Sequence, residues 1–338
     1  MAANQPDRGG PIRRVAITGG THGNESNSVQ LAKHLIRHPA LAQRESFSST
    51  VLLNNPAAIE RNVRYCDEDL NRCFTLADLA DESRNSIEAK RAREINAQLG
   101  PKGSEGAVDY VLDLHNTTAN TGVAIMCSPH DRLSHALVAH LQAKDPSVRL
   151  LLWNRSVTDY PLMPSVGKHG MTFEVGAAPW GVIDGASYVQ SLGLIMRALD
   201  YVHAHNLAIA AGASGAWKRT TVPVYEALRS VDYPRYEDGT LSAMIHPSLQ
   251  GHDFSELHKG DPAFLTMSGQ TLGFEPSADE AASGLPTYPF FINEAAYYEK
   301  GIAFMTCQMS DQPIRLLENV PTLTPAEAEQ PETKRQKS

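Results

Sequence analysis

The chain has 338 residues, of which 42% are hydrophobic and 20% are charged, a composition typical of a soluble globular protein with room for more than one domain. Its 30 lysines and arginines against 38 aspartates and glutamates leave a net charge of −8, which argues against nucleic acid or an anionic membrane as the main partner. The N-terminus lacks the apolar core of a signal peptide, and no window approaches the roughly 18 apolar residues of a membrane span, so a cytoplasmic protein without an integral membrane segment is predicted.

Strands and helices alternate in the first two hundred residues. The apolar run from Arg14 to Thr18 ends in two glycines, and apolar residues then recur at helical spacing from Ser26 to Pro39. Further strands are predicted at 51–53 and 108–115, and further helices at 82–99 and 134–143. Asp184 can cap a long helix, whose apolar stripe is expected to pack in the core and consists of Val189, Leu192, Met196, Leu199 and Val202. This alternation predicts an α/β sheet layered by helices.

The character of the chain changes after about Asn206. Short apolar runs separated by Gly, Pro and Asp continue to about residue 317, which predicts a mostly β second domain. From about Glu318 the chain is too rich in Pro, Glu, Thr and Lys to bury much surface. The predicted organisation is therefore a flexible N-terminus at 1–12, an α/β domain at 13–208, a β-rich domain at 209–317 and a disordered tail at 318–338.

The stretch GGTHGNE, Gly19 to Glu25, places a histidine and a glutamate three residues apart where the first strand gives way to a helix. Taken alone, it is more often a tight polar turn than half of a metal site. The glycines let the backbone turn sharply, so His22 and Glu25 can converge on one ion. Catalytic zinc takes three protein ligands, and two histidines with one glutamate are a known set. His115, at the end of an apolar strand and so at the sheet rim, is the predicted third ligand.

Asp113 lies two residues before His115, on the same face of the predicted strand. One interpretation is that its carboxylate hydrogen-bonds a metal ligand from behind. The other is that the carboxylate caps a nearby turn. The sequence alone does not separate the two.

The loop RNVRYCDEDLNR, Arg61 to Arg72, mixes charges of both signs. Taken alone, it favours the interpretation of a solvated loop whose charges neutralise one another. A functional loop would instead aim Arg64 and Arg72 at a substrate carboxylate or a developing oxyanion, with Asn71 as a neutral donor.

Glu174 lies inside the apolar segment MTFEVG, Met171 to Gly176. An isolated carboxylate is costly to bury there, so the side chain needs a partner or a chemical purpose. Beside a metal-bound water it would be the general base, since burial raises the pKa of a carboxyl group. The alternative is a buried ion pair with an arginine.

Five motifs in order, GGTHGNE, DLNR, DLHNTTAN, FEVG and NEAAYYEKG, together resemble the aspartoacylase family of zinc amidohydrolases. The likeness spans roughly Arg13 to Phe304. It implies a zinc-carboxypeptidase-like α/β/α sandwich, followed by a smaller β-rich C-terminal domain that covers the active site. It also implies a homo-oligomer with one zinc ion per subunit, held by His22, Glu25 and His115.

The resemblance also implies roles for individual residues. Glu174 matches the general base, and Arg64 matches the arginine that polarises the acyl carbonyl. Asn71 and Arg72 match the residues that hold the α-carboxylate of the substrate. Two pocket tyrosines, for which simple packing is the alternative, and two carboxylates that support the metal ligands are also expected: Tyr160, Tyr297, Asp69 and Asp113.

One position departs from the aspartate-directed branch of this family. In that branch an arginine four residues after the position of Tyr160 pairs with the side-chain carboxylate of the substrate, whereas here Pro164 and Ser165 follow. Loss of this partner predicts a preference for neutral side chains, namely N-acetylated aromatic amino acids and N-acetyl-cysteine S-conjugates (mercapturates). Lys168 could replace the arginine, which leaves N-acetylaspartate deacylation open.

The predicted reaction is hydrolysis of a small-molecule N-acyl amino acid to acetate and the free amino acid. A peptide-cleaving carboxypeptidase would share the metal set but needs an open cleft. A non-catalytic binding protein would be expected to have lost a ligand or the base, yet His22, Glu25, His115 and Glu174 are all present.

Overall fold

The computed structural model describes residues 9–153 and 160–321. Most of the predicted flexible N-terminus (1–12) and nearly all of the predicted disordered tail (318–338) lie outside these ranges. Within them, none of the helices combines the length and the apolar character that crossing a membrane requires.

Nine of the strands form one mixed sheet, and three short strands form a second one. The strands are β1 Arg14–Gly19, β2 Ser48–Leu53, β3 Tyr110–Asn116, β4 Gly122–Cys127, β5 Val148–Leu152, β6 His169–Gly176, β7 Trp217–Val231, β8 Ala243–Ile245, β9 Pro262–Thr266, β10 Thr271–Gly273, β11 Thr287–Phe290 and β12 Phe304–Leu317. The large sheet has the order β11-β12-β7-β5-β4-β6-β3-β1-β2, and the small one β10-β9-β8. Strands β2, β1, β3 and β6 run parallel, and β4 is antiparallel to β6.

Helices cover both faces of the part of the sheet built from β1 to β6. They are α1 Ser26–Arg37, α2 Pro56–Arg61, α3 Leu76–Ala80, α4 Ile87–Leu99, α5 Arg132–Gln142 and α6 Gly185–Ala210. The short helix α7, Ala278–Ser283, belongs to the C-terminal part, where its Glu280 contacts Arg229 of β7 and Thr306 of β12. Because side chains alternate along a strand, Ile17 of β1 packs in one core with α1, α5 and α6. Its neighbour Ala16 packs in another with Ile95 and Leu99 of α4. The predicted α/β/α arrangement is confirmed.

The C-terminal part of the chain is predominantly β structure, as predicted. The small sheet packs around its own core, which includes Tyr233, Phe264 and Phe304. The long strands β7 and β12 pair along most of their length, and β7 also pairs with β5. They therefore extend the large sheet. The predicted boundary between residues 208 and 209 lies in the last turn of α6 and remains a prediction.

Some local predictions were wrong in detail. Helix α4 begins at Ile87, not at Glu82, because the Ser86 hydroxyl caps the helix by accepting from the amide of Ala89 at 3.0 Å. In α6, which Asp184 caps as predicted, Val189 is 69% exposed and so lies outside the core. The apolar runs of β4 and β5 were not predicted as strands.

Candidate metal centre and active site

The turn after β1 requires glycine at two positions. Gly20 has a φ of +68°, in the left-handed region that favours glycine. A Cβ on Gly23 would lie 2.1 Å from the carbonyl carbon of Ala58, which no side chain tolerates. The turn thus brings His22 and Glu25 onto the end of the sheet where β3 also terminates.

Two imidazoles and one carboxylate converge at this edge. Nδ1 of His22 lies 2.5 Å from Oε1 of Glu25, and Nδ1 of His115 lies 3.0 Å from Oε2 of the same carboxylate. The two Nδ1 atoms are 3.2 Å apart. All three residues are buried, and their candidate ligand atoms lie within 4.8 Å of one another. This group can hold a metal ion.

The second nitrogen of each imidazole contacts a separate carboxylate. Nε2 of His115 is 2.8 Å from Oδ2 of Asp113, and Nε2 of His22 is 3.1 Å from Oδ1 of Asp69. Such contacts fix the tautomer and the orientation of a ligand histidine. Oδ1 of Asp113 also accepts from the hydroxyl of Thr21 at 3.1 Å. Asp113 therefore contacts both the imidazole and the turn, so the two interpretations of this residue are compatible.

The electrostatics of these carboxylates favour the charged form. Burial alone would raise the pKa of Glu25, but the imidazoles of His22 and His115 hold that pKa well below its usual range. Burial likewise opposes ionisation of Asp69, while His22 and Arg64 lower its pKa well below the ordinary value. Both groups are thus anionic at neutral pH.

Arg64 lies between these two carboxylates. Its Nη1 is 3.5 Å from Oε1 of Glu25 and its Nη2 is 3.4 Å from Oδ2 of Asp69. Burial would lower the pKa of Arg64, but the two carboxylates raise it, so the guanidinium stays charged. Its buried Nε has no hydrogen-bond partner among the described residues. Arg64 and Asp69 of the 61–72 loop are therefore part of the buried site, and the interpretation of a solvated loop does not hold for these two residues.

Glu174 lies on β6 directly beside His115 of β3. Its side chain is half-buried, while Phe173 and Val175 on either side point into the core. Burial raises the pKa of Glu174 to about 8; the carboxylates of Glu25 and Glu294 add to the increase, and His115 opposes it. A carboxyl group with this pKa can accept and return a proton near neutral pH.

A cavity of about 120 Å³ opens in front of Glu174. Its wall combines candidate catalytic and binding side chains with apolar ones: His22, Arg64, Asn71, Arg72, Met126, Trp153, Tyr160, Pro161, Leu162, Glu174 and Tyr297. Glu25 lines a smaller adjoining space of about 20 Å³. The fold therefore brings together all the site residues proposed from sequence.

Asn71 and Arg72 present donors to this cavity. Oδ1 of Asn71 accepts from the amide of Met163 at 2.8 Å, so its amide nitrogen remains available to a ligand. Arg72 is exposed at the mouth, and its Nη1 donates to the carbonyl oxygen of Asn71 at 2.7 Å.

Two site residues were missed by sequence reasoning. Glu294 accepts from the amide of Thr118 at 2.7 Å and so ties the C-terminal part of the chain to the loop after β3. Nζ of Lys300 lies 2.9 Å from Oδ2 of Asp69. Both residues flank Tyr297 in the NEAAYYEKG run, so their position in that motif was the available signal.

Lys168 lies outside the Glu174 cavity. Its Nζ is 2.9 Å from Oδ1 of Asp109, and it lines a separate cavity together with Pro164. Among the described residues that line the Glu174 cavity, the lysines and arginines are Arg64 and Arg72.

Two family models match the chain in tandem. The model described as Succinylglutamate desuccinylase/Aspartoacylase catalytic domain matches residues 11–202. The model described as AstE/AspA barrel-sandwich hybrid domain matches residues 220–309.

Relatives with two kinds of name are similarly close. The human protein named N-acyl-aromatic-L-amino acid amidohydrolase (carboxylate-forming) is 41% identical, over 94% of this chain and 96% of that protein. A probable aspartoacylase of Acaryochloris marina is 38% identical, over 89% of this chain and 97% of that protein. The crystal structure of murine aminoacylase 3 matches with a TM-score of 0.84 and 39% identity, over 91% of this chain and 99% of that one. Because relatives with both names match at similar identity, the residues that line the Glu174 cavity bear on the choice of substrate more than overall identity does.

Proposed function

Because this chain belongs to the succinylglutamate desuccinylase/aspartoacylase family, we propose that it is a zinc-dependent amidohydrolase of N-acyl aromatic amino acids. The products are a carboxylate, acetate for an N-acetyl substrate, and the free amino acid. The observation that carries the proposal is the location of Glu174, which lines one cavity with His22 and lies beside His115.

Zinc fits the donor set at this edge of the sheet. Two imidazole nitrogens and one carboxylate oxygen are ligands that zinc accepts at catalytic sites, and here each imidazole is also held by a carboxylate on its far nitrogen. His22, Glu25 and His115 would hold the ion. When bound, it would act as a Lewis acid on the acyl oxygen and increase the acidity of water.

Glu174 is the proposed general base and acid. It takes a proton from the attacking water, whose oxygen bonds to the acyl carbon, and then delivers that proton to the nitrogen as the C–N bond breaks. Its raised pKa favours holding the proton between these two steps. Arg64 remains charged and is placed to donate to the developing oxyanion.

Arg72 and Asn71 are the proposed anchors of the α-carboxylate. A charged donor and a neutral donor at the mouth of the cavity select an amino acid over a simple amide. The side chain of the substrate then faces apolar wall from Met126, Trp153 and Leu162. Tyr160 and Tyr297 are proposed to complete this wall.

The proposed preference for substrates with neutral side chains rests on the apolar wall formed by Met126, Trp153 and Leu162. A carboxylate buried there would lose its hydration without gaining a cation of its own, because Arg64 and Arg72 are assigned to the acyl oxygen and the α-carboxylate, and Lys168 pairs with Asp109 outside this cavity. Aromatic side chains and the thioethers of mercapturates carry no such penalty.

A substrate panel tests the proposal. The zinc-loaded protein should hydrolyse N-acetylphenylalanine and N-acetyltyrosine with a kcat/KM at least about 100-fold above that for N-acetylaspartate, a difference of about 2.7 kcal/mol. The reverse preference would assign the chain to aspartate deacylation. Hydrolysis of none of these compounds, with zinc bound, would refute the proposed chemistry.

A further inference from the structure

A second cavity lies next to the one in front of Glu174 and is the larger of the two. It has a volume of about 180 Å³ against about 120 Å³. Ser128, Pro164, Lys168 and His169 belong to its wall, and Tyr160 lines both cavities. We call it the distal cavity. None of the steps assigned to the catalytic residues uses it.

The proposed anchors fix the direction in which a substrate side chain can extend. With the α-carboxylate proposed at Arg72 and the acyl group at Glu174, the wall that remains for the side chain includes Tyr160. That space is small, since pockets for drug-sized ligands measure about 300–1,000 Å³. A side chain longer than one aromatic ring must therefore pass Tyr160.

The charges of the distal cavity are already paired. Nζ of Lys168 lies 2.9 Å from Oδ1 of Asp109, and Nδ1 of His169 lies 2.8 Å from Oδ1 of Asp131. The His169 ring also stacks on Tyr110, with centroids 5.8 Å apart. Lys168 and His169 each have a carboxylate partner, so these two side chains offer a ligand little net charge, and His130, which also lines the cavity, is exposed. The chemistry favours an uncharged arm.

We propose that the distal cavity holds the outer, uncharged part of an extended substrate side chain, such as the aryl group of a cysteine S-conjugate. This inference rests on the proposed function and adds to it a second binding site. Tyr160 separates the inner part of the side chain from the outer part. The distal cavity thereby selects substrates by the length of the arm.

The experiment measures kcat/KM of the zinc-loaded full chain for three N-acetylcysteine S-conjugates that differ only in the length of the S-substituent. The substrates are N-acetyl-S-methylcysteine, N-acetyl-S-benzylcysteine and N-acetyl-S-(biphenylmethyl)cysteine, with N-acetylphenylalanine as reference. We expect kcat/KM to rise at least tenfold from the methyl to the biphenylmethyl arm. A rise that stops at benzyl, or a fall at biphenylmethyl, would overturn the inference. Hydrolysis of N-acetylphenylalanine tests the proposed function separately, and its absence would refute that function and this inference together.

A cavity-filling variant tests the location of the arm. Ser128→Phe places a ring in the distal cavity and should lower the ratio of kcat/KM for the biphenylmethyl arm to that for N-acetylphenylalanine about tenfold. Ser268→Phe, in the exposed turn between β9 and β10, is the matched control and should leave the ratio unchanged. An unchanged ratio in Ser128→Phe would place the arm elsewhere. If that variant does not fold, the arm series on the wild type decides.

A charged and an uncharged S-substituent of similar length test whether the distal cavity prefers uncharged groups. N-acetyl-S-(4-carboxybenzyl)cysteine should be hydrolysed with at least tenfold lower kcat/KM than the benzyl compound, since the cations of the distal cavity are paired. A preference for the carboxylated arm would contradict the assignment to uncharged ligands.

Discussion

The turn after β1 and the middle of β6 each bring one glutamate to the same site, with opposite electrostatic results. Glu25 in the turn is flanked by His22 and His115, and its pKa is held well below the usual range. Glu174 on β6 lies among apolar neighbours and near two other carboxylates, and its pKa is raised to about 8. The imidazoles of His22 and His115 favour the charged form of Glu25, which suits it to bind a metal, whereas burial favours the protonated form of Glu174, which suits it to carry a proton.

Removing a proposed metal ligand from the turn after β1 should have the largest effect on zinc binding and on activity. His22→Ala removes one of three ligands, so bound zinc measured by mass spectrometry should fall from one ion to near none. Hydrolysis should fall with it by about 10⁴-fold or more. His252→Ala, at an exposed position, is the matched control. One equivalent of tightly bound zinc in His22→Ala would contradict the ligand assignment.

Changing Glu174 on β6 should lower the rate of hydrolysis without releasing the bound zinc. Glu174→Gln keeps the shape of the side chain but cannot accept the proton, so kcat should fall by about 10²–10⁴-fold while zinc content stays at one. Glu275→Gln, an exposed carboxylate, serves as control. Turnover like that of the wild type would mean that another group is the base.

The raised pKa of Glu174 also has a consequence for the stability of the metal-free protein. The pKa in the folded state, about 8, exceeds the unfolded value of 4.5, so the folded state loses stability as pH rises between these values. Metal-free Glu174→Gln should therefore exceed the wild type in unfolding free energy by up to about 5 kcal/mol at pH 9.

Below pH 4.5 this difference should disappear, because the carboxyl group is then protonated in both states. Thermal unfolding of both proteins after chelation, measured from about pH 3.5 to 9, gives the comparison. A gap that does not change with pH would show that Glu174 is not desolvated as described.

The smallest effect on zinc affinity is expected from Lys300, which lies in the C-terminal part of the chain and contacts Asp69. Lys300→Met removes the ammonium group 2.9 Å from Asp69, which in turn contacts His22. Zinc affinity, measured by competition with a chelator, should weaken about fivefold, while Lys300→Arg should restore most of it. Equal affinities in all three proteins would mean that Lys300 does not act through Asp69.

Much of the site could be predicted because its signals are local. His22 and Glu25 are three residues apart, and the glycines that shape their turn are adjacent. His115 and Glu174 both stand in apolar strands, where a polar residue is conspicuous.

The features that were missed depend on contacts that are distant in sequence. Glu294 meets Thr118 across 176 residues and Lys300 meets Asp69 across 231, separations that no local pattern encodes. Val189 fits the apolar stripe of α6 by spacing, yet the core ends before reaching it. The start of α4 was placed too early because Ser86, and not a residue before it, supplies the cap.

The central claim is that one zinc ion is held by the turn and by β3 beside the carboxyl group of Glu174. A crystal structure of the zinc-loaded protein, with anomalous scattering recorded on both sides of the zinc edge, tests it most directly. A single peak is expected about 2.0–2.2 Å from Nδ1 of His22, Nδ1 of His115 and an oxygen of Glu25. A fully loaded protein with its peak at any other set of residues would contradict it.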